Sequence, residues 1–376
     1  MHWFGFGFNG FGQIEPQSKD AIRLLSPVKL DSLCVCAETF SRSDLSPEQK
    51  TESRKVVAGW SRVAVLHNTG ERRCVCVHGA EGGVLVSESE GCEDAVLTER
   101  CLTLSFAHTV QCWKLHTNTR ELVWSSEITR TGNTGNAPPL PLVPGGYIAS
   151  KLPFFQPLSP HLQAMSLALG TEHAVLSTAS GTVYTWGHGG HGQLGHGTLV
   201  SGDEPRAIEA LWGVPMKSVA AGGWHSACIS AGGDLYVWGW NESGQLGLPS
   251  KGLREARQRE KQRIEKDKLE GSKMDESNSD VFISIQAFPA LVDVSEASEI
   301  NKVSCGSRHT AAITGIGDLY TWGWGHYGQL GHGSRCSSDE PQMVTFFSSG
   351  RMRVEDVVCG LWNTFVSAVP RDHVPS

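Results

Sequence analysis

Asp234-Leu235-Tyr236-Val237-Trp238-Gly239-Trp240-Asn241-Glu242-Ser243-Gly244-Gln245-Leu246-Gly247 is the stretch on which the fold turns. A run of β-branched and aromatic residues, alternating between two faces, leads into a glycine-bounded turn, the pattern of a short antiparallel strand. The same design occurs twice more. Val183-Tyr184-Thr185-Trp186-Gly187 precedes Gly192-Gln193-Leu194-Gly195, and Leu319-Tyr320-Thr321-Trp322-Gly323 precedes Gly328-Gln329-Leu330-Gly331. Upstream of each lies a Gly-x-x-His core, running from Gly170 to His173, Gly222 to His225 and Gly306 to His309. A fourth, partial copy reads Gly360-Leu361-Trp362-Asn363.

All three blocks are offset by 52 residues between the first two copies and by 84 between the second and third. The unit is therefore about 52 residues, and the extra 32 form one insertion. Pro205 and Pro341 follow Gly192 and Gly328 by 13 residues, but Pro289 follows Gly244 by 45, which places the insertion between Leu246 and Pro289, over residues 249–280. From Lys251 to Asp280 it carries nine basic and eight acidic residues. Pairs such as Glu255 with Arg259 and Lys266 with Glu270 favour a solvated helix, while a surface loop is the simpler expectation because apolar positions are sparse.

Four short strands per unit make a propeller blade. Burying one Trp of roughly 150–250 Å² is worth at most about 4–6 kcal/mol. Trp186, Trp238 and Trp322 are therefore expected in the core between blades. The glycines of Gly-Gln-Leu-Gly are expected at turn positions with positive φ or close backbone approach. A phosphate cradle would need a following helix, which the sequence does not suggest.

The pairing of Gly-x-x-His with Trp-Gly and Gly-Gln-Leu-Gly resembles the regulator of chromosome condensation repeat, over residues 165–370. The resemblance implies an all-β, seven-bladed propeller over residues 1–376 in which the chain's two ends share a blade. The termini point the same way: Phe6-Gly7-Phe8-Asn9-Gly10-Phe11-Gly12-Gln13-Ile14 aligns with Trp238 to Leu246, and the carboxyl end stops after a first half-repeat. Residues 1–14 are expected to complete the closing blade with residues 351–370, leaving no long free sheet edge. Three clear repeats fill 165–347 and degenerate blades fill 15–164, where neither Trp-Gly nor Gly-Gln-Leu-Gly survives. Blade boundaries there stay open, and six blades is the alternative count.

Gly supplies 43 of 376 residues, above the roughly 7 % that is usual, which suits many tight turns. The formal charge of −7 supplies no general attraction to nucleic acid or an anionic membrane. No 18-residue apolar run and no signal-peptide pattern occur, so a cytosolic or nuclear protein is expected; the family resemblance implies a nuclear, chromosome-associated protein with a cytosolic pool. The eleven cysteines are expected to be free thiols. Cys34 with Cys36, and Cys74 with Cys76, would place both sulfurs on one strand face as small apolar groups.

His173, His225 and His309 are the obvious general-base candidates. Their recurrence once per blade, with Asn363 in the fourth copy, favours structural hydrogen bonding. His188, His191, His196, His326 and His332 flank the glycine turns and are expected to be solvated loop residues. No elbow, zinc or P-loop motif occurs, so no catalytic, metal or cofactor residue is assigned. Pro138 to Gly146 suggests a polyproline II course that exposes Leu140, Leu142 and Val143 beside Pro139 for a partner's groove; a linker packed over the propeller is the alternative. Ser26, Ser46 and Ser159 precede prolines and suit a proline-directed kinase or a turn equally.

These features favour a non-enzymatic protein-binding scaffold. The amino-terminal run and the poorly repeated first half resemble one vertebrate branch of the family. That resemblance implies an adaptor for a JmjC-domain oxygenase, the partner supplying Fe(II) and 2-oxoglutarate, with roles in histone methylation, transcriptional repression, the mitotic spindle and chromosome segregation. Guanine-nucleotide exchange on a Ran-like small GTPase is the second function the family implies.

Overall fold

The computed structural model describes residues 1–15, 22–30, 52–68, 73–79, 82–115, 121–128, 139–149, 153–256, 259, 281–295 and 299–371. Their strands form seven sheets, six of four strands and one of three. Among the described residues the blade count is therefore seven, and the six-blade alternative falls.

The first blade comprises Glu52–Ala58, Arg62–Asn68, Arg73–Gly79 and Gly82–Val86, and the second Asp94–Leu97, Cys101–Ser105, Thr109–Lys114 and Glu121–Glu127. Among the described residues the third has only Leu142–Val143, Gly146–Ile148 and Phe155–Pro157. The fourth, fifth and sixth are the clear repeats, beginning at Ala164–Leu169, Met216–Ala221 and Ile300–Cys305. In each of these the strand opened by the repeat's His is buried throughout: His173–Thr178, His225–Ser230 and His309–Thr314. Small residues such as Ala227 and Ala311 fill it because both of its faces are covered by neighbouring blades.

Closure uses both chain ends. His2–Phe8 pairs antiparallel with Asn363–Pro370, with Phe6 opposite Thr364, while Arg23–Lys29 pairs on its outer side and Met352–Cys359 lies innermost. Phe6 is fully buried where the repeat calls for Trp.

The core is distributed over the blade junctions, each with its own apolar cluster and the second with a further small one of Cys101, Cys112 and Phe154. Ala64 and Leu102 lie in the cluster joining the first two blades, Val110 and Val143 in the next, and Leu142 and Leu176 in the third. Val175 with Trp238, Ala227 with Trp322, and Ile313 with Phe6 continue around the ring. Trp3, Val63 and Phe365 seal the closing blade to the first. Every blade is thus held mainly by burial against two neighbours, and losing one terminal strand opens two junctions together.

Backbone geometry explains the Trp-Gly pairing. Gly187, Gly239 and Gly323 lie directly opposite His173, His225 and His309, with φ between 104° and 111°. A Cβ at Gly239 would sit 2.5 Å from the Trp224 carbonyl and 2.7 Å from His225 Cα, so only glycine fits.

Two expectations fail. Leu140, Leu142 and Val143 are buried, because Leu140 and Val143 pack between the second and third blades and Leu142 between the third and fourth. They are part of the wall, and the packed-linker alternative holds; Pro139 alone of the four is exposed. The expected solvation of the turn histidines fails for His196 and His332, whereas His188 and His326 are exposed. His196 and His332 both follow Gly-Gln-Leu-Gly directly, and their Nε2 atoms bond Thr185 Oγ1 at 3.0 Å and Thr321 Oγ1 at 2.9 Å. Of the insertion, Lys251–Ala256 is helical, Arg259 pairs with Glu255 at 3.3 Å, and 260–280 lie outside the described residues, as do Cys34, Cys36 and Ser46.

Candidate functional site

The repeat's polar residues form a relay between blades. His173 Nε2 lies 2.9 Å from Ser226 Oγ of the next blade, and Ser226 Oγ donates back to the Gln193 carbonyl at 2.8 Å. His225 reaches Thr310 (2.9 Å), which donates to the Gln245 carbonyl, and His309 reaches Thr364 (2.9 Å), which donates to the Gln329 carbonyl. Since each hydroxyl proton is spent on a carbonyl, each imidazole must donate from Nε2, and the buried Nδ1, which has no acceptor for a second proton among the described residues, makes it the neutral tautomer. The next blade's Trp adds a second donor to the same acceptor: Trp238 Nε1 bonds the Gln193 carbonyl at 2.8 Å, and Trp322 Nε1 the Gln245 carbonyl at 3.0 Å. The glutamine side chains tie their own turns, Gln193, Gln245 and Gln329 accepting the amides of His191, Ser243 and Tyr327.

Close approach explains the turn glycines. Phe6 lies 2.8 Å from where a Cβ on Gly331 would be, and Gly192, Gly244 and Gly328 have φ of 74–85°. Trp186 departs from the relay, bonding the Tyr147 hydroxyl at 3.3 Å because the third blade has no Gly-Gln-Leu-Gly turn.

Burial holds the relay imidazoles neutral. Desolvation lowers His173 to about 4 and both His225 and His309 to about 3. With no exposed ring nitrogen and a proton locked into the relay, they cannot serve a solvent-borne substrate as bases. Burial likewise pushes the Cys92 thiol up to about 12 and Cys112 to about 11, far from nucleophilic thiolates. Among the described residues no three His, Cys, Asp or Glu side chains converge on a metal position.

A different set of residues gathers at one mouth of the channel. The first backbone bond beyond each His strand places the residue before the His beside the residue after Trp-Gly. Trp240 N donates to the Trp224 carbonyl (2.9 Å), Trp324 N to Arg308 (2.8 Å), Phe8 N to Trp362 (2.9 Å) and His188 N to Glu172 (2.8 Å). Aromatic side chains at these tips stack. Trp224 and Trp240 meet edge to face at 5.4 Å, with His191 5.5 Å from Trp240. Across the closing blade Trp362 touches Trp324 (4.9 Å), Tyr327 (5.9 Å) and Trp60 of the first blade (6.2 Å). Phe8 lies against Trp60 at 5.5 Å. Arg308, between the two groups, lays its guanidinium 4.6 Å from the Trp240 ring centre.

Five of the twelve tryptophans thus stand half-buried on one face rather than in the core. At the other end Trp212 and Ile316 are exposed without a ring contact among the described residues, and the exposed Phe346 meets only Phe4 and Phe347. The repeat signal falls on Trp186, Trp238 and Trp322 and masks the tryptophans beside the last two. The available signal was aromatic residues directly before His225 and Asn363 and directly after Gly239 and Gly323, where a turn needs none.

The family model described as "Regulator of chromosome condensation (RCC1) repeat" matches residues 180–229, 232–313 and 317–367. A second model of the same description matches 166–193, 216–245 and 300–329. "RCC1 domain-containing protein 1" of Homo sapiens is 40% identical over 391 residues, 98% of this chain and 97% of that protein. "Ultraviolet-B receptor UVR8" of Arabidopsis thaliana is 36% identical over 206 residues, 54% of this chain and 39% of that one. Among solved structures, Prp20p from Saccharomyces cerevisiae superposes with a TM-score of 0.68 at 16% identity, covering 98% of this chain and 91% of that one.

Proposed function

Because the chain belongs to the regulator of chromosome condensation (RCC1) repeat family, we propose that it is a non-enzymatic scaffold that binds a protein partner on the aromatic face around Trp224, Trp240, Trp324 and Trp362. The observation that carries this reading is that four consecutive blades bring half-buried aromatic side chains to the same end, Trp224 with Trp240 in one group and Trp324, Tyr327 and Trp362 with Trp60 in the other. Half-buried Trp and Tyr supply large, rigid contact area and are the residues that dominate protein interfaces. A propeller loses nothing in its core by exposing them, since Trp238, Trp322 and Phe6 already fill the junctions. If the aromatics only braced the turns, the size of Trp224 and Trp240 would have no explanation.

The partner we propose is a JmjC-domain oxygenase, with the chain serving chromatin regulation, including histone methylation and transcriptional repression, and chromosome segregation from a nuclear location with a cytosolic pool. This rests on family resemblance; the partner would hold the metal and cosubstrate. The second reading is exchange on a Ran-like GTPase. It is favoured by the fold similarity to Prp20p, a protein described by its binding to Gsp1p and histones.

The test is affinity purification of the tagged full-length chain from nuclear and cytosolic extracts, beside a Trp224→Ala/Trp362→Ala variant. A JmjC oxygenase recovered in stoichiometric amount and lost with the variant supports the adaptor. A nucleotide-free GTPase moves exchange to first place, and a partner retained by the variant refutes the face.

A further inference from the structure

The aromatic face carries a cation with no counter-charge. Arg308 stands in the sixth blade at the position that Trp224 and Trp362 occupy in the blades on either side. Its guanidinium stacks on Trp240, and its Nε–H is buried without a hydrogen-bond partner. Among the described residues no carboxylate lies within ion-pair reach of it, whereas Arg353 and Arg371 pair with Glu355 and Asp318. Burial alone depresses Arg308's affinity for its proton, with no acidic neighbour offsetting it.

Removing a guanidinium from water without pairing it is unfavourable, and native proteins do so sparingly. Stacking on an indole compensates only in part. The remaining demand is for an anion, and the shape of the site says which kind. A planar fork edged by Trp240 and flanked by Trp224 and Trp324 suits a carboxylate accepting two N–H bonds, with an apolar or aromatic side chain of the same segment lying on the indoles. A polyanion such as nucleic acid would need several cations side by side, whereas the one other guanidinium seen against these rings among the described residues is Arg23, 5.4 Å from the Tyr327 ring centre in the other aromatic group. The neighbouring equivalent tips instead carry Glu172, Trp224 and Trp362, and the chain's formal charge is −7.

We propose that Arg308 is the anchor of the aromatic face and takes a carboxylate from an acidic-aromatic segment of the protein partner. This deepens the scaffold reading and rests on it. Trp224 and Trp240 receive the segment's apolar side chain, and the Trp324, Tyr327 and Trp362 cluster borders it on the other side. Arg308 sets orientation, because a two-pronged bond fixes direction where stacked rings do not.

The probe is an immobilised array of hexapeptides, each carrying one Asp or Glu beside one Trp, Tyr, Phe or Leu, with a matched array in which Asn or Gln replaces the acid. Full-length protein is applied as wild type, Arg308→Gln, Arg308→Lys and Trp224→Ala/Trp362→Ala, each first checked for an unchanged melting temperature. Wild type should bind acidic peptides at least about thirtyfold better than their amide counterparts. Arg308→Gln should abolish that preference, and Arg308→Lys should keep part of it. Binding that ignores the acid, or an acid preference that survives Arg308→Gln, overturns the anchor. If such binding is lost only in the tryptophan variant, the aromatic face stands without the anchor. If no peptide binds, or the tryptophan variant binds as wild type does, both readings fall.

Discussion

Acidification should unfold this propeller through its relay histidines. The perturbation is pH alone, between 7 and 5. His173, His225 and His309 have pKa values of about 4, 3 and 3 in the folded chain, against 6.5 for an ordinary imidazole. Their folded pKa values are depressed, so the unfolded chain binds more protons below pH 6.5. Stability is therefore fully present above that value and is lost as pH falls toward the folded values. Each imidazole removes roughly 2 kcal/mol between pH 7 and pH 5, so the three together remove on the order of 6 kcal/mol. That is comparable with the whole stability of many domains. Urea unfolding followed by tryptophan fluorescence at half-unit pH steps measures it. The slope below pH 5.5 should approach three protons, or about 4 kcal/mol per pH unit. His225→Asn, which borrows the residue found at Asn363, should be less stable at pH 7.5 but show a slope of about two protons. A slope below one proton, or one that His225→Asn leaves unchanged, would refute the reasoning.

Deleting residues 1–14 should remove Trp3, Phe6 and Ile14 from two junctions together, lowering the melting temperature by more than about 15 °C or abolishing soluble monomer by size-exclusion chromatography; an unchanged melt would contradict the latch. Phe6→Ala alone should cost about 3–5 kcal/mol in chemical denaturation. Gly323→Ala, whose Cβ would sit 2.5 Å from the Arg308 carbonyl, should cost more than about 2 kcal/mol by the same assay. Trp322→Phe keeps most of the volume and loses the bond to the Gln245 carbonyl, which Thr310 still satisfies. About 1 kcal/mol is expected, since Phe6 already serves in the equivalent place.

The carboxyl half was legible because three copies of one unit repeat every constraint. An offset of 52 residues fixes the blade, and the fourth half-copy beside Phe6 to Ile14 fixes the closure. The amino half was not legible in detail because its blades reach the same architecture without the glycine turns. In the first blade Gly59 N bonds the Arg62 carbonyl as Gly170 N bonds that of His173, but no relay histidine follows. The proline stretch misled for a physical reason: periodicity gave no sign that Leu140, Leu142 and Val143 would fill the gaps beside a three-stranded blade. The roles of His173, His225 and His309 followed from recurrence. His196 and His332 were misread because their shared place after Gly-Gln-Leu-Gly was overlooked. The aromatic face was hidden because each Trp adjoins a repeat residue of stronger signal, and only the pairing of Gly7, Gly187, Gly239 and Gly323 with the strand opposite brings those tips together.

Hydrogen exchange with mass spectrometry on the chain alone and in its purified partner complex tests the central claim most directly. Binding at the aromatic mouth should slow exchange at 222–224, 240–243, 306–308, 324–327 and 360–362. Protection confined to the opposite turns, at 179–182, 231–234 and 315–318, would contradict it.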